Sequence, residues 1–243
     1  HRHFQVVLKA EPNNPEIYNN YGLLLRQMEA YDKAEECFRK AMMLAPDSTN
    51  AYINMGLLFS IAGRYEESMR FYERTLGLDP REERAYLGLA KLHFLQDRHE
   101  DARKVYEACE AKLEVSPHFY ETWSRFEEHN HNIGRAMELA DRAAALAPGE
   151  PLVQVLRSTL ARRQKEYVRA LQILDEIAPG QIQRNMDRSK YLFEKGAVLD
   201  KLGRFREAFQ AYDEANRAKN LYTGSQYNEQ VDRDKFTARR RVF

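Results

Sequence analysis

Along most of the chain apolar residues fall three and four apart, and that helical spacing itself recurs every 34 residues. Tyr18, Tyr21, Gly22 and Leu25 form one stripe, Ala34, Phe38 and Ala41 a second, and the interval from Met28 to Asp32 provides a turn between them. The same order returns as Tyr52, Met55, Gly56 and Phe59, then Ser68, Tyr72 and Thr75. Small residues recur at Gly22, Gly56, Ala90, Ser124 and Ser158, each followed twelve residues on by Ala34, Ser68, Ala102, Ala136 and Ala170. After one slip in the count, Gly196 and Ala208 repeat the doublet. Two helices cross closely only where both lack bulk, so each doublet predicts a helical hairpin. Pro46, Pro80 and Pro148 share one repeat position just past the second stripe, where a helix has to stop. The pattern predicts an all-α protein, a right-handed α-α superhelix of about six stacked hairpins with a concave face.

On this count the units are 15–48, 49–82, 83–116, 117–150 and 151–184, with an insertion at 185–188 and a sixth unit at 189–222. Residues 1–14, with Phe4, Val7 and Pro12, read as the second helix of a truncated repeat, so the chain is expected to be a piece of a longer polypeptide. Unit five is degenerate, with Gln154 and Arg157 at core positions. Pro179-Gly180 is expected to end its second helix early. A loop to Asp187 follows, with Asp187 or Ser189 capping the next helix. After a linker around Gly224, Val231, Phe236 and Val242 mark a C-terminal helix expected to cap the last repeat.

An aromatic, Leu, Gly and Tyr, then Ala, Phe, Ala and Pro at period 34 resembles the tetratricopeptide repeat family. The match is nearly complete in units one and two. Unit three keeps Tyr86, Leu89, Ala90, Ala102, Tyr106 and Cys109, with Glu114 in place of the proline; unit four keeps Tyr120, Trp123, Ala136, Ala143 and Pro148. The resemblance implies a non-catalytic scaffold that binds a peptide or protein segment in a concave groove. Carried over by repeat position, groove residues include Asn19, Asn20, Leu23 and Arg26, then Asn54 and Leu57, then Arg84 and Lys91, then Arg125. Asn20 and Asn54 share the position where family members hold a peptide backbone with asparagine amides, which donate and accept at once. The column stops at Gly88. The chaperone-binding form of the fold needs a five-residue clamp for a terminal carboxylate. Asn54 and Arg84 match it, but Asn19, Leu23 and Gly88 do not, so chaperone docking is not expected.

The 243 residues are 43% hydrophobic and 31% charged, which suits a core that is a strip rather than a ball. A net charge of +1 and a mixed groove argue against nucleic acid as partner. No run of about 18 apolar residues exists, so no membrane span is expected. Cys37 and Cys109 occupy different repeat positions and read as buried free thiols, which favours the cytoplasm. Unit five concentrates Arg157, Arg162, Arg163, Lys165 and Arg169, so an acidic partner segment is expected near Arg162 and Arg163. Exposed terminal repeats offer a route to self-association, and the oligomeric state stays open.

No phosphate-cradling glycine loop appears, and Gly63-Arg64-Tyr65-Glu66 is an ordinary hairpin turn. His129 and His131 point to different faces of a helix, and with His118 they read as solvated; His93 reads as a packed histidine. No serine or cysteine stands beside a His/Asp pair, and neither a metal nor a cofactor is expected in this chain. The segment from Lys195-Gly196-Ala197 through Tyr212-Asp213-Glu214 to the final Arg-Arg-Arg-Val-Phe resembles the end of the repeat array in bacterial sulfotransferases. That resemblance implies an alternative, a substrate-recruiting array whose catalytic domain and sulfonucleotide donor would lie beyond Phe243.

Overall fold

The computed structural model describes Phe4, residues 10–178 and residues 180–223. Twelve helices are bounded within them, with no strand among the described residues, and they fall into two compact units that divide between Val115 and Ser116. The first unit holds α1 (Pro15–Gln27), α2 (Tyr31–Leu44), α3 (Thr49–Ile61), α4 (Tyr65–Leu78), α5 (Glu83–Leu95) and α6 (His99–Glu110). The second holds α7 (Pro117–His129), α8 (Ile133–Leu146), α9 (Pro151–Arg163), α10 (Tyr167–Asp175), α11 (Asn185–Lys201) and α12 (Phe205–Thr223). Each odd-numbered helix pairs with the one after it, so the all-α hairpin reading stands. The expected helix over 1–14 lies mostly outside the described residues; Phe4 stacks its ring on Tyr21 at 5.4 Å, and residues 11–14 form a non-helical turn before α1. The expected linker and helix after residue 223, and Pro179 itself, also lie outside them.

One turn closes all six hairpins. The first helix ends in a left-handed residue: Glu29, Gly63, Asp97, His131, Lys165 or Gly203. Its N–H bonds the carbonyl three residues back, and the next N–H reaches back five, as in Ala30 to Leu25 and Arg204 to Leu199. This double bond satisfies the carbonyls that a helix end leaves orphaned. Only two of the six positions are glycine.

The small doublets lie buried at the crossings. Ser68 donates to the Gly56 carbonyl at 2.5 Å, and Ser124 to the Ala136 carbonyl at 2.7 Å, each pair twelve residues apart. Gly22, Gly56 and Gly196 also admit an aromatic ring from the second helix. A Cβ built at each would fall 2.5–2.8 Å from Phe38, Tyr72 and Tyr212 respectively.

Unit five repairs its departures with polar bonds. Tyr52 and Tyr86 donate to the carbonyls of Pro46 and Pro80 at 3.0 and 3.2 Å, and Gln154, at the same repeat position, donates to Pro148 at 3.3 Å. Arg157 reaches Asp141 on α8 at 2.7 Å.

Between units five and six the loop lies a few residues earlier than expected. α10 stops at Asp175, and α11 begins at Asn185, so the four inserted residues 185–188 form an extra helical turn. Four residues are close to one turn, so the addition keeps the apolar face in register. Asp187 is therefore no cap: it is buried inside the first turn, where Arg184 Nε bonds its carboxylate at 2.6 Å. Ser189 is buried in the same helix and caps nothing either.

Candidate functional site

Within each unit the first helices of successive hairpins touch one another: α1, α3 and α5 in the first, and α7, α9 and α11 in the second. Their shared face is where the repeat positions place groove residues. The two faces differ in chemistry.

In the first unit the face is built on amides and aliphatics. Asn54 Nδ2 donates to Asn19 Oδ1 at 2.8 Å, bridging α3 and α1. The expected partner of Asn54 in the amide column, Asn20, stays exposed and unbonded. Leu23 packs half-buried against the core formed by Tyr21, Phe38 and Phe59, and Leu57 is half-buried on α3. Arg26 is half-buried with its Nε enclosed and without a hydrogen-bond partner. Lys91 is exposed on α5 and forms no ion pair. Arg84 is committed within the fold: Nε and Nη2 grip Glu82 at 2.8 and 2.7 Å, and Nη2 also bonds Asn50 at 3.0 Å. Those bonds hold the Glu82 carboxyl below the usual carboxylate range.

In the second unit the face is a ladder of ion pairs. Arg125 holds Glu121 at 2.9 Å within α7. Arg163 on α9 holds Glu128 on α7 at 2.9 Å, and Arg162 grips Glu194 on α11 through Nε and Nη2 at 2.8 and 3.0 Å. Glu194 is only 9% exposed, and its hydrogen bonds raise the already high pKa of Arg162. The arginines read as waiting for an acidic partner thus already hold carboxylates of their own chain. Glu82 and Glu194 escaped the sequence reading. The signal that finds such pairs is complementary residues about one repeat apart, as in Asn19–Asn54, Glu128–Arg163 and Asn50–Arg84.

The remaining chemistry is structural. Glu127 is fully buried and accepts from Trp123 Nε1 at 3.2 Å and Asn132 Nδ2 at 3.3 Å. His93 is half-buried and burial lowers its pKa, while His131 sits in the left-handed turn, out of line with His129. A cleft of about 570 Å³ opens beside Asp175, Tyr191 and Lys195, where Lys195 Nζ binds Asp175 at 2.9 Å and Tyr191 at 3.3 Å. Its cation is thereby neutralised. Among the described residues no group of three or more His, Cys, Asp or Glu is placed to hold a metal, and no helix is long and apolar enough to cross a membrane.

Family models for the tetratricopeptide repeat match residues 14–81 and 61–117. No curated protein matches the chain. Among solved structures, PilF of Pseudomonas aeruginosa is 21% identical, with 93% of this chain and 97% of that one covered at a TM-score of 0.63. Cut9–Hcn1 of the APC/C is 16% identical, with 88% of this chain and 42% of that one covered at 0.64. YrrB, a repeat protein with an unusual peptide-binding site, is 18% identical, with 76% and 93% covered at 0.52. These likenesses show a shared fold. Residues 14–117 thus match tetratricopeptide repeat models, and helical hairpins of the same kind continue after them.

Proposed function

We propose that the chain is a non-catalytic scaffold that holds an extended segment of a protein partner on the α1–α3–α5 face, without a cofactor. The observation that carries this is the Asn19–Asn54 bridge. One amide N–H and one carbonyl oxygen are spent on each other, so the pair keeps a free donor on Asn19 and a free acceptor on Asn54. A backbone peptide unit offers the complementary acceptor and donor. The bridge also fixes both side chains before a partner arrives, which lowers the ordering cost of binding. Known relatives support the reading, since YrrB carries a peptide-binding site.

The second unit is a poorer receiver, because an acidic segment there would have to displace Glu128 and Glu194 from Arg163 and Arg162. The sulfotransferase reading rests on resemblance alone, in part on residues beyond those described. Cys37, half-buried where a buried thiol was expected, and Cys109, buried, are both free, and burial pushes their thiols up to about 11 and about 12, in keeping with a reducing compartment such as the cytoplasm.

Phage-displayed random peptides provide the test. Selected binders should lose about tenfold or more in affinity for the Asn19→Ala/Asn54→Ala variant, whose melting should stay near the parent's. Binders indifferent to that change would remove the proposal.

A further inference from the structure

Resting on that reading, the geometry points to the conformation and sequence of the bound segment. We infer that it is a polyproline II stretch with an apolar side chain, a second apolar side chain three residues along and a carboxylate three residues beyond that.

Three observations combine. First, the face is arranged in columns that cross the helices. Leu23, Leu57 and Lys91 occupy one repeat position on α1, α3 and α5, and Ile61 and Leu95 occupy another on α3 and α5. Leu57 and Ile61 are four apart on one helical face, and Ile61 and Leu95 are 48% and 42% exposed. The surface is therefore an apolar step on α1, a second on α3, and an unpaired cation on α5 bordered by Leu95.

Second, the spacing selects the ligand's backbone. Packed helices stand about 8–10 Å apart. A β-strand presents same-face side chains about every 6.8 Å, and the residue three positions along points the opposite way. Such a segment drifts out of step with the columns. A polyproline II helix has three residues per turn and rises about 3.1 Å per residue, so every third side chain returns to one face after roughly 9 Å. Each turn of ligand then meets one helix of the scaffold.

Third, the polar contacts agree. A polyproline II backbone makes no internal hydrogen bonds, so its C=O and N–H remain available to Asn19 and Asn54. At the end of the Leu23–Leu57 column stands Lys91, exposed and without an ionic partner, and it calls for a carboxylate. Arg84 does not compete, because Glu82 and Asn50 hold it. The columns do not specify chain direction, so both orders of the motif belong to the inference.

The test uses labelled peptides and fluorescence anisotropy on the full chain. Leu-Pro-Pro-Leu-Pro-Pro-Glu and its reverse are compared with peptides in which the same residues stand two or four apart. One of the two three-spaced peptides should bind about tenfold tighter than either control, as expected when a control seats one apolar side chain fewer. Replacing its glutamate by lysine should weaken binding, and Lys91→Glu should restore that lysine peptide while rejecting the original. Equal or tighter binding at spacing two or four, or no exchange of preference with Lys91→Glu, would overturn the inference. The underlying reading is judged separately through Asn19→Ala/Asn54→Ala. If phage-selected binders depend on the asparagines but none of the spaced peptides binds, the inference falls alone. If the spaced peptides bind without needing the asparagines, the reading falls, and the inference with it.

Discussion

The ring of Tyr72 on α4 fills the space where a side chain at Gly88 on α5 would stand: a Cβ built there falls 2.4 Å from Tyr72 Cζ. The same ring leaves no room at Gly56, where a Cβ would lie 2.8 Å away. Tyr72 is buried, so it has nowhere to swing. The asparagine column therefore ends at Gly88 because the packing of one hairpin on the next claims that place.

Gly88→Ala tests this directly. Alanine gains about 1 kcal/mol of helix propensity over glycine. Overpacking against a fixed ring costs about 1–3 kcal/mol. The clash should win, and urea denaturation should show a less stable protein. Adding Tyr72→Leu should recover part of the loss, which a double-mutant cycle would record as coupling. A Gly88→Ala protein more stable than the parent would show that the ring yields.

Much of the architecture is readable in the chain because its two determinants are local and periodic. Small residues twelve apart mark every crossing, and prolines mark helix ends. What escapes the periodic reading is whatever depends on a neighbouring repeat. Asn54 shares a repeat position with Asn20 yet bonds Asn19, since helices that cross at an angle bring different positions together. Arg162 looks like a free cation until Glu194 arrives from α11, shifted by the extra helical turn at 185–188. Gln154 looks like a fault in the core until its amide is seen to replace a tyrosine hydroxyl.

The hairpin turns give a second prediction. Glu29, Asp97, His131 and Lys165 hold φ between 59° and 64°, a conformation that side chains with a Cβ disfavour by about 1–2 kcal/mol. Gly63 and Gly203 occupy the same place without that cost. Lys165→Gly removes an exposed residue with no ion pair, so little opposes the gain. Its stability should rise by roughly 0.5–1 kcal/mol, less than the full strain because glycine also loses more freedom on folding. A lower melting temperature would count against the turn geometry.

Thiol reactivity provides a third. Burial and the Glu36 carboxylate push the Cys37 thiol up to about 11, and burial chiefly pushes Cys109 up to about 12. Near pH 8 both remain protonated, and a thiol attacks only as thiolate. Iodoacetamide should label the native protein at neither site on a timescale that modifies an unfolded sample completely. Fast labelling of native Cys109 would show that its surroundings open readily.

The ion pair between α9 and α11 makes the fourth. Reversing Arg162 to glutamate looks like a test for an acidic ligand, but the free protein should respond first. The new carboxylate would face Glu194, which is almost wholly enclosed and would lose both of its bonds from Arg162. An unpaired buried charge is costly, so Arg162→Glu should lower stability by about 1–3 kcal/mol without any ligand present. Arg162→Glu combined with Glu194→Arg reverses the pair and should restore part of that loss, because the attraction depends on opposite sign and proximity rather than on which helix carries the cation. Thermal melts of the two single variants and the swap decide the matter. If the swap is no more stable than the worse single variant, the pair is a surface contact without consequence, and Arg162 returns to the residues available for a partner.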